Sequence, residues 1–189
     1  MAQKIAFITG GNRGLGFQTA LDLGKNKEEN IKVVIGSRDK AQGEQAVTKL
    51  RAAGVDADTI QFDITNLADY QAAYNYFDSK YGKLDILVNN AGIAGGKFPG
   101  EGPEHRAADV PMDLLRKVFE TNFFAQVELT EKLLPLIKKS SDGRIVKPVQ
   151  HSGLPPATRR SQVANLQRQV VRVRCLQDRS QCIHRASCI

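Results

Sequence analysis

Lys4-Ile5-Ala6-Phe7-Ile8-Thr9-Gly10-Gly11-Asn12-Arg13-Gly14-Leu15-Gly16 decides the architecture of this chain. The continuous apolar run Ile5–Ile8, stopped by glycine, reads as a short buried strand of the kind found in parallel sheets covered on both faces. A helix begins at about Leu15, carries Phe17, Ala20, Leu21 and Leu23 as its apolar positions, and stops near Gly24. Between them, glycines at 10, 14 and 16 let the backbone turn tightly and come close to a diphosphate. The free N–H groups and the dipole at the helix start then face that negative charge. A glycine-rich turn says little alone; strand–turn–helix is the context that gives it meaning. Gly10, Asn12, Arg13, Gly14, Leu15 and Gly16 are therefore candidate cofactor-binding residues.

Working outward, strands and helices alternate. Ile31–Gly36 reads as a second strand, 39–53 as an amphipathic helix ended by Gly54, and Thr59–Phe62 as a short third strand. A helix follows over 66–81, then a fourth strand at Leu84–Asn89, one long helix over 111–139, and the start of a fifth strand at Gly143–Val146. Short connections between alternating elements predict right-handed βαβ crossovers and an α/β, doubly wound parallel sheet of the Rossmann type, incomplete in its C-terminal half.

The end of the second strand selects the cofactor. An NAD site places Asp or Glu there to bind the ribose 2′-hydroxyl. This chain has Gly36-Ser37-Arg38, with no acid before Asp39. Arg38, helped by Arg13 from the glycine turn, offers planar forks of donors to a 2′-phosphate. The expected cofactor is NADP(H).

Charge divides the chain sharply. Lys and Arg balance Asp and Glu over residues 1–146, so the last 43 residues carry the whole formal charge of +7. All three cysteines lie in that tail. Residues 1–146 are thus expected to form the dinucleotide-binding domain, and 147–189 an aberrant basic tail without order or selected role. A sheet stopping in its fifth strand would leave an edge and a helix face uncovered. No apolar run is long enough for a membrane span, and the N-terminus lacks a signal-peptide layout, so a cytoplasmic protein is expected.

Several segments resemble the short-chain dehydrogenase/reductase family. Thr9–Gly16 is similar to its Thr-Gly-x-x-x-Gly-x-Gly motif, and Asn89-Asn90-Ala91-Gly92 to its Asn-Asn-Ala-Gly motif. Asp63-Ile64 resembles the pair that contacts adenine, Asn122 the asparagine of the long fourth helix, and Asp142–Val146 the approach to the strand bearing the catalytic serine. Within the family, the run and the loop from Ile93 to Pro111 resemble the monomeric, NADPH-dependent carbonyl-reductase branch. The resemblance implies cofactor contacts at Asp63, Ile64, Asn90, Ala91 and Gly92, and a catalytic Asn122 anchoring a water relay. It also implies pro-S hydride transfer between NADP(H) and a ketone, aldehyde or alcohol. In such a reaction a tyrosine donates the proton, a lysine four residues on lowers its pKa, and a serine orients the carbonyl.

After Val146 the family pattern fails. Lys147-Pro148-Val149-Gln150 stands where Asn-x-Ser-Ser is expected, and all four tyrosines (70, 74, 76 and 81) precede Asn89. Tyr76-Phe77-Asp78-Ser79-Lys80 fits Tyr-x-x-x-Lys but lies on the helix before the fourth strand, and geometry must precede motif. Ser152 is too isolated to replace the serine. The arginines of the tail are scattered without interleaved aromatics, which argues against a nucleic-acid partner. Cys175, Cys182, His184 and Cys188 lack paired zinc-ligand spacing, so no metal is expected. Two functions stay open: a carbonyl reductase by lineage, or a non-catalytic NADP(H)-binding remnant or regulatory protein.

The break itself has a reading: residues from about Lys147 onward are the normal continuation translated in the wrong frame. Joining the last two bases of each codon to the first of the next, Val173–Asp178 can be read Tyr-Asp-Ala-Ser-Lys. The same shift reads Val149-Gln150-His151 as Ser-Ser. Sequencing the gene checks this: the expected codons over 146–189 encode Tyr-x-x-x-Lys in the shifted frame, and codons that do not encode it end the idea.

Overall fold

Alternation within one strand sets the layers of this fold. Along β1 (Lys4–Thr9), successive side chains point to opposite faces of the sheet. Ile5 and Phe7 enter one core with Phe62, Phe77, Leu87 and Leu133. Ala6 and Ile8 enter the other with Ala20, Val33, Ile35 and Leu50. A computed structural model describes residues 2–26, 28–93, 110–148 and the backbone of 170–173. The expected loop residues 94–109, Ser152, and the tail arginines and cysteines at 159–168 and 174–188 lie outside the described residues.

The elements follow the expected alternation: α1 (Gly14–Gly24), β2 (Ile31–Ser37), α2 (Lys40–Ala52), β3 (Ala57–Gln61), α3 (Leu67–Tyr81) and β4 (Ile86–Val88). Next come α4 (Met112–Phe119), a π-helical turn (Glu120–Phe124), α5 (Ala125–Lys138), β5 (Gly143–Val146) and β6 (Val170–Val173). Asp39 starts α2 by accepting the Gln42 N–H at 3.0 Å, and Asn66 starts α3 by accepting the Ala68 N–H at 3.2 Å, as side-chain oxygens do at helix N-termini. The strand order is β3-β2-β1-β4-β5-β6. β1 to β5 are parallel, with Ala6 opposite both Val33 and Ile86. α1 and α2 cover one face, while α3 and α5 cover the other.

Two expectations need correction. The helix over 111–139 is not one regular helix. At Glu120–Phe124 it widens by a residue, and the Ala125 N–H reaches back to the Glu120 carbonyl. Insertions of this kind often mark functional sites. Nor does the sheet end at β5. Val170-Val171-Arg172-Val173 pairs with it antiparallel, Val146 opposite Val170 and Gly143 opposite Val173. The open edge of β5 offers unpaired N–H and C=O groups, and a valine-rich run suits that pairing. Among the described residues, Met112, Leu115 and Phe119 of α4, Phe123 of the π-helical turn and Val127 of α5 are exposed. Among the described residues no helix is long and apolar enough to cross a membrane.

At the end of the sheet remote from the glycine turn, Asp85, just before β4, ties β1 and β5 to the turn after α5. Its buried carboxylate accepts the Ile5 N–H at 2.8 Å, the Ser140 hydroxyl at 2.5 Å and Lys83 Nζ at 2.8 Å. Its backbone carbonyl accepts the Arg144 N–H at 2.8 Å. Asp85→Ala should lower unfolding stability by about 1–3 kcal/mol for each donor left buried without a partner. Urea titration checks this, and an unchanged midpoint would contradict it.

Candidate cofactor cleft

A doubly wound sheet opens a crevice where its strand order reverses, outside the carboxyl ends of the strands. Here the reversal lies between β1 and β4, and hydrogen bonds stitch the two strand ends together. Thr9 Oγ1 accepts the N–H groups of Asn90 and Ala91 at 3.0 and 2.9 Å and donates to the Val88 carbonyl at 3.3 Å. Asn90 Nδ2 donates to the carbonyls of Thr9 and Gly10 at 2.9 and 3.1 Å.

That stitching explains the glycines. Gly10 and Gly14 hold φ of 64° and 59°, the left-handed region that side chains disfavour. Gly16 is required by contact instead: a Cβ there would stand 2.4 Å from Asn90 Nδ2 and 2.5 Å from the Gly10 carbonyl oxygen. The first turn of α1 can therefore approach the end of β1 only without a side chain at this position.

A cavity of about 460 Å³ opens above this floor. All the residues expected to bind cofactor line it: Gly10, Asn12, Arg13, Gly14, Leu15, Gly16, Arg38, Asp63, Ile64, Asn90, Ala91 and Gly92. The N-terminus of α1 forms one wall, a position suited to an anion. Beyond the end of β2 lies a further hollow of about 400 Å³, walled by Asn12, Arg13, Ser37, Arg38, Asp39 and Gln42. Both arginines are exposed, and among the described residues neither guanidinium is held by a carboxylate. Their donors are available to an incoming phosphate.

Asn122 sits in the π-helical turn beside the cavity. Its side chain clamps the chain just after Gly92, accepting the Ile93 N–H and donating to the Ile93 carbonyl, each at 2.8 Å. Its own backbone carbonyl accepts Lys147 Nζ at 3.0 Å. Gln126 adds a second strut, donating to the Ala91 carbonyl at 2.7 Å. The polypeptide from Asn89 to Ile93 is thus fixed from two sides.

The tyrosine–lysine lookalike lies elsewhere. Lys80 Nζ does donate to the Tyr76 hydroxyl at 3.0 Å, but both groups converge on Asp58, near the start of β3 and away from the cleft. Burial pushes the Tyr76 phenol well above its ordinary pKa, outweighing the lowering contact from Lys80. A proton donor activated by its lysine needs the opposite shift. This cluster braces α3 against β3.

A family model of short chain dehydrogenases matches residues 4–161. The chain belongs to the short chain dehydrogenase family. It is 39% identical over 145 residues to carbonyl reductase [NADPH] 1 of Mus musculus, covering 77% of this chain and 48% of that one. It is 31% identical over 170 residues to short-chain dehydrogenase/reductase 1 of Saponaria officinalis, covering 82% and 55% respectively. Among solved structures, salutaridine reductase from Papaver somniferum matches with a TM-score of 0.65 and 30% identity, over 76% of this chain and 56% of that one. An actinorhodin polyketide ketoreductase with NADPH matches with a TM-score of 0.67 and 26% identity, over 87% and 61%. The chain spans about half the length of the curated relatives it matches.

Sequence reasoning missed Thr9 as a hydrogen-bonding hub, Gln126 as a strut, and Lys117 and Thr121 as cavity walls. Thr9 opens a quoted motif and Thr121 precedes Asn122, whereas nothing in the pattern marked Gln126 or Lys117. Gly16→Ala is expected to weaken binding of a nicotinamide dinucleotide by more than about tenfold, since it drives α1 off the turn. Tyr76→Phe is expected to leave binding within about twofold, as a distant site should. Fluorescence titration checks both; the reverse order of effects would contradict the placement of the cleft.

Proposed function

We infer that this chain is the cofactor-binding part of an NADPH-dependent oxidoreductase of the carbonyl-reductase type, acting on ketones, aldehydes or the corresponding alcohols. The observation that carries this reading is the pair Arg13 and Arg38 at the open end of a glycine-floored cleft, where an NAD site would have a carboxylate. The similarity to carbonyl reductase [NADPH] 1 supports it.

The residues present fit a dinucleotide phosphate. The first turn of α1 would hold the diphosphate, and the missing Cβ at Gly16 leaves the room for it to approach. Asp63 and Ile64 would border the adenine, with Arg38 and Arg13 on the 2′-phosphate. When bound, the cofactor supplies hydride chemistry. On the nicotinamide side, Asn122 and Gln126 hold the 89–93 segment rigid, which keeps that wall of the site in place.

Proton transfer is a separate matter. The four tyrosines lie on α3, and none of them lines the cavity. This observation favours a second reading for the chain in this frame: it binds NADP(H) and does not turn over carbonyls. Loss of a general acid alone costs about 10²–10⁴ in rate. The shifted frame, with Tyr-Asp-Ala-Ser-Lys, would return that group.

Arg38→Asp should reduce the preference for NADPH over NADH by about 1–3 kcal/mol, the worth of a charge-assisted contact. Titration of both cofactors against the parent and the variant tests this. Equal affinity of the parent for both would overturn the NADP(H) assignment. Carbonyl-dependent NADPH oxidation should stay at background for the 189-residue chain, and turnover abolished by Tyr76→Phe would overturn the second reading.

A further inference from the structure

An acid stands next to the arginines in the hollow beyond β2. Asp39 lines the same space as Arg13 and Arg38, and a carboxylate facing it would repel a 2′-phosphate and welcome a 2′-hydroxyl. The structure shows what holds that carboxylate. Asp39 Oδ1 accepts the backbone N–H of Gln42 at 3.0 Å, the ordinary capping contact of α2. Asp39 Oδ2 accepts Gln42 Nε2 at 3.2 Å. The other end of the same amide, Gln42 Oε1, accepts Asn12 Nδ2 at 3.0 Å. One glutamine side chain therefore occupies the second oxygen of Asp39 and ties it to the glycine turn.

We propose that Gln42 is a specificity-determining positioning residue for the cofactor: its amide sequesters Asp39 Oδ2 and braces Asn12, so that the hollow presents guanidinium groups to the 2′-phosphate. The proposal rests on the NADP(H) reading above. It adds that the arginines act only with the neighbouring acid restrained. Without the Gln42 amide, Asp39 keeps its backbone cap but its second oxygen is freed toward the hollow. There it can accept a hydrogen bond from the 2′-hydroxyl of NAD(H) and oppose the phosphate of NADP(H). Gln42 is exposed and at the first turn of α2, so its side chain carries little of the core.

The test is fluorescence titration of NADPH and NADH against the full chain, Gln42→Ala, Gln42→Met, and the double variant Gln42→Ala with Asp39→Asn. Gln42→Met keeps side-chain length, and thermal melting of each variant shows that it folds. The NADPH/NADH affinity ratio is expected to fall by about tenfold in both single variants, the size of one added charge contact in a solvated site. Asparagine caps a helix as well as aspartate, so the double variant should keep α2 and recover most of the ratio. A merely structural role for Gln42 would weaken both cofactors together and leave the ratio unmoved. A parent chain preferring NADPH with an unchanged ratio in folded Gln42 variants overturns this proposal alone. A ratio that falls but is not recovered by Asp39→Asn overturns the route through Asp39. A parent ratio near one overturns the cofactor assignment itself.

Discussion

The hydroxyl of Thr9 holds the site together. At the point where the strand order reverses, it receives two backbone N–H groups from the end of β4 and donates to a third backbone atom there. Asn90 returns the link by donating to the last carbonyls of β1. Two turns far apart in sequence are thereby fixed as a single floor. Buried backbone groups must find partners, so this exchange lets the strand ends stop in a crevice without leaving donors orphaned. The requirement for glycine at 16 follows directly, because Asn90 Nδ2 and the Gly10 carbonyl occupy the space a side chain would need.

From that floor the walls of the site follow by topology. β2 lies beside β1, so its terminal Ser37-Arg38 must emerge next to the glycine turn and bring a positive charge to one end of the cleft. β5 lies beside β4, so the chain leaving Val146 emerges at the other end, where Lys147 meets the carbonyl of Asn122. The π-helical turn widens the helix where Thr121 lines the cavity and Asn122 clamps Ile93. The hollow beyond β2, proposed for the 2′-phosphate, is walled entirely by described residues, and the described end near β5 contributes no tyrosine.

What was legible in the sequence were features set by backbone geometry. The tight turn at Gly10 and Gly14 and the apolar strand runs each depend on a few adjacent residues. The charge at Arg38 was legible because its place in a βαβ unit fixes where it emerges. The insertion at Glu120–Phe124 was not, because a π turn keeps the same apolar periodicity on either side. The pairing of β6 was not legible, because a short valine-rich run carries no local signal of which sheet edge it joins. The Asn12–Gln42–Asp39 chain was also invisible, since it depends on side-chain directions across two elements rather than on spacing within one.

Preference for NADP(H) requires the end of β2 to be a phosphate subsite. Calorimetric titration of the full chain with 2′,5′-ADP and with 5′-AMP isolates that subsite, because the two ligands differ only in the 2′-phosphate. Tighter binding of 2′,5′-ADP by about tenfold or more, shrinking as salt is raised, is the predicted result. Equal affinity for the two ligands would show that the end of β2 holds no phosphate.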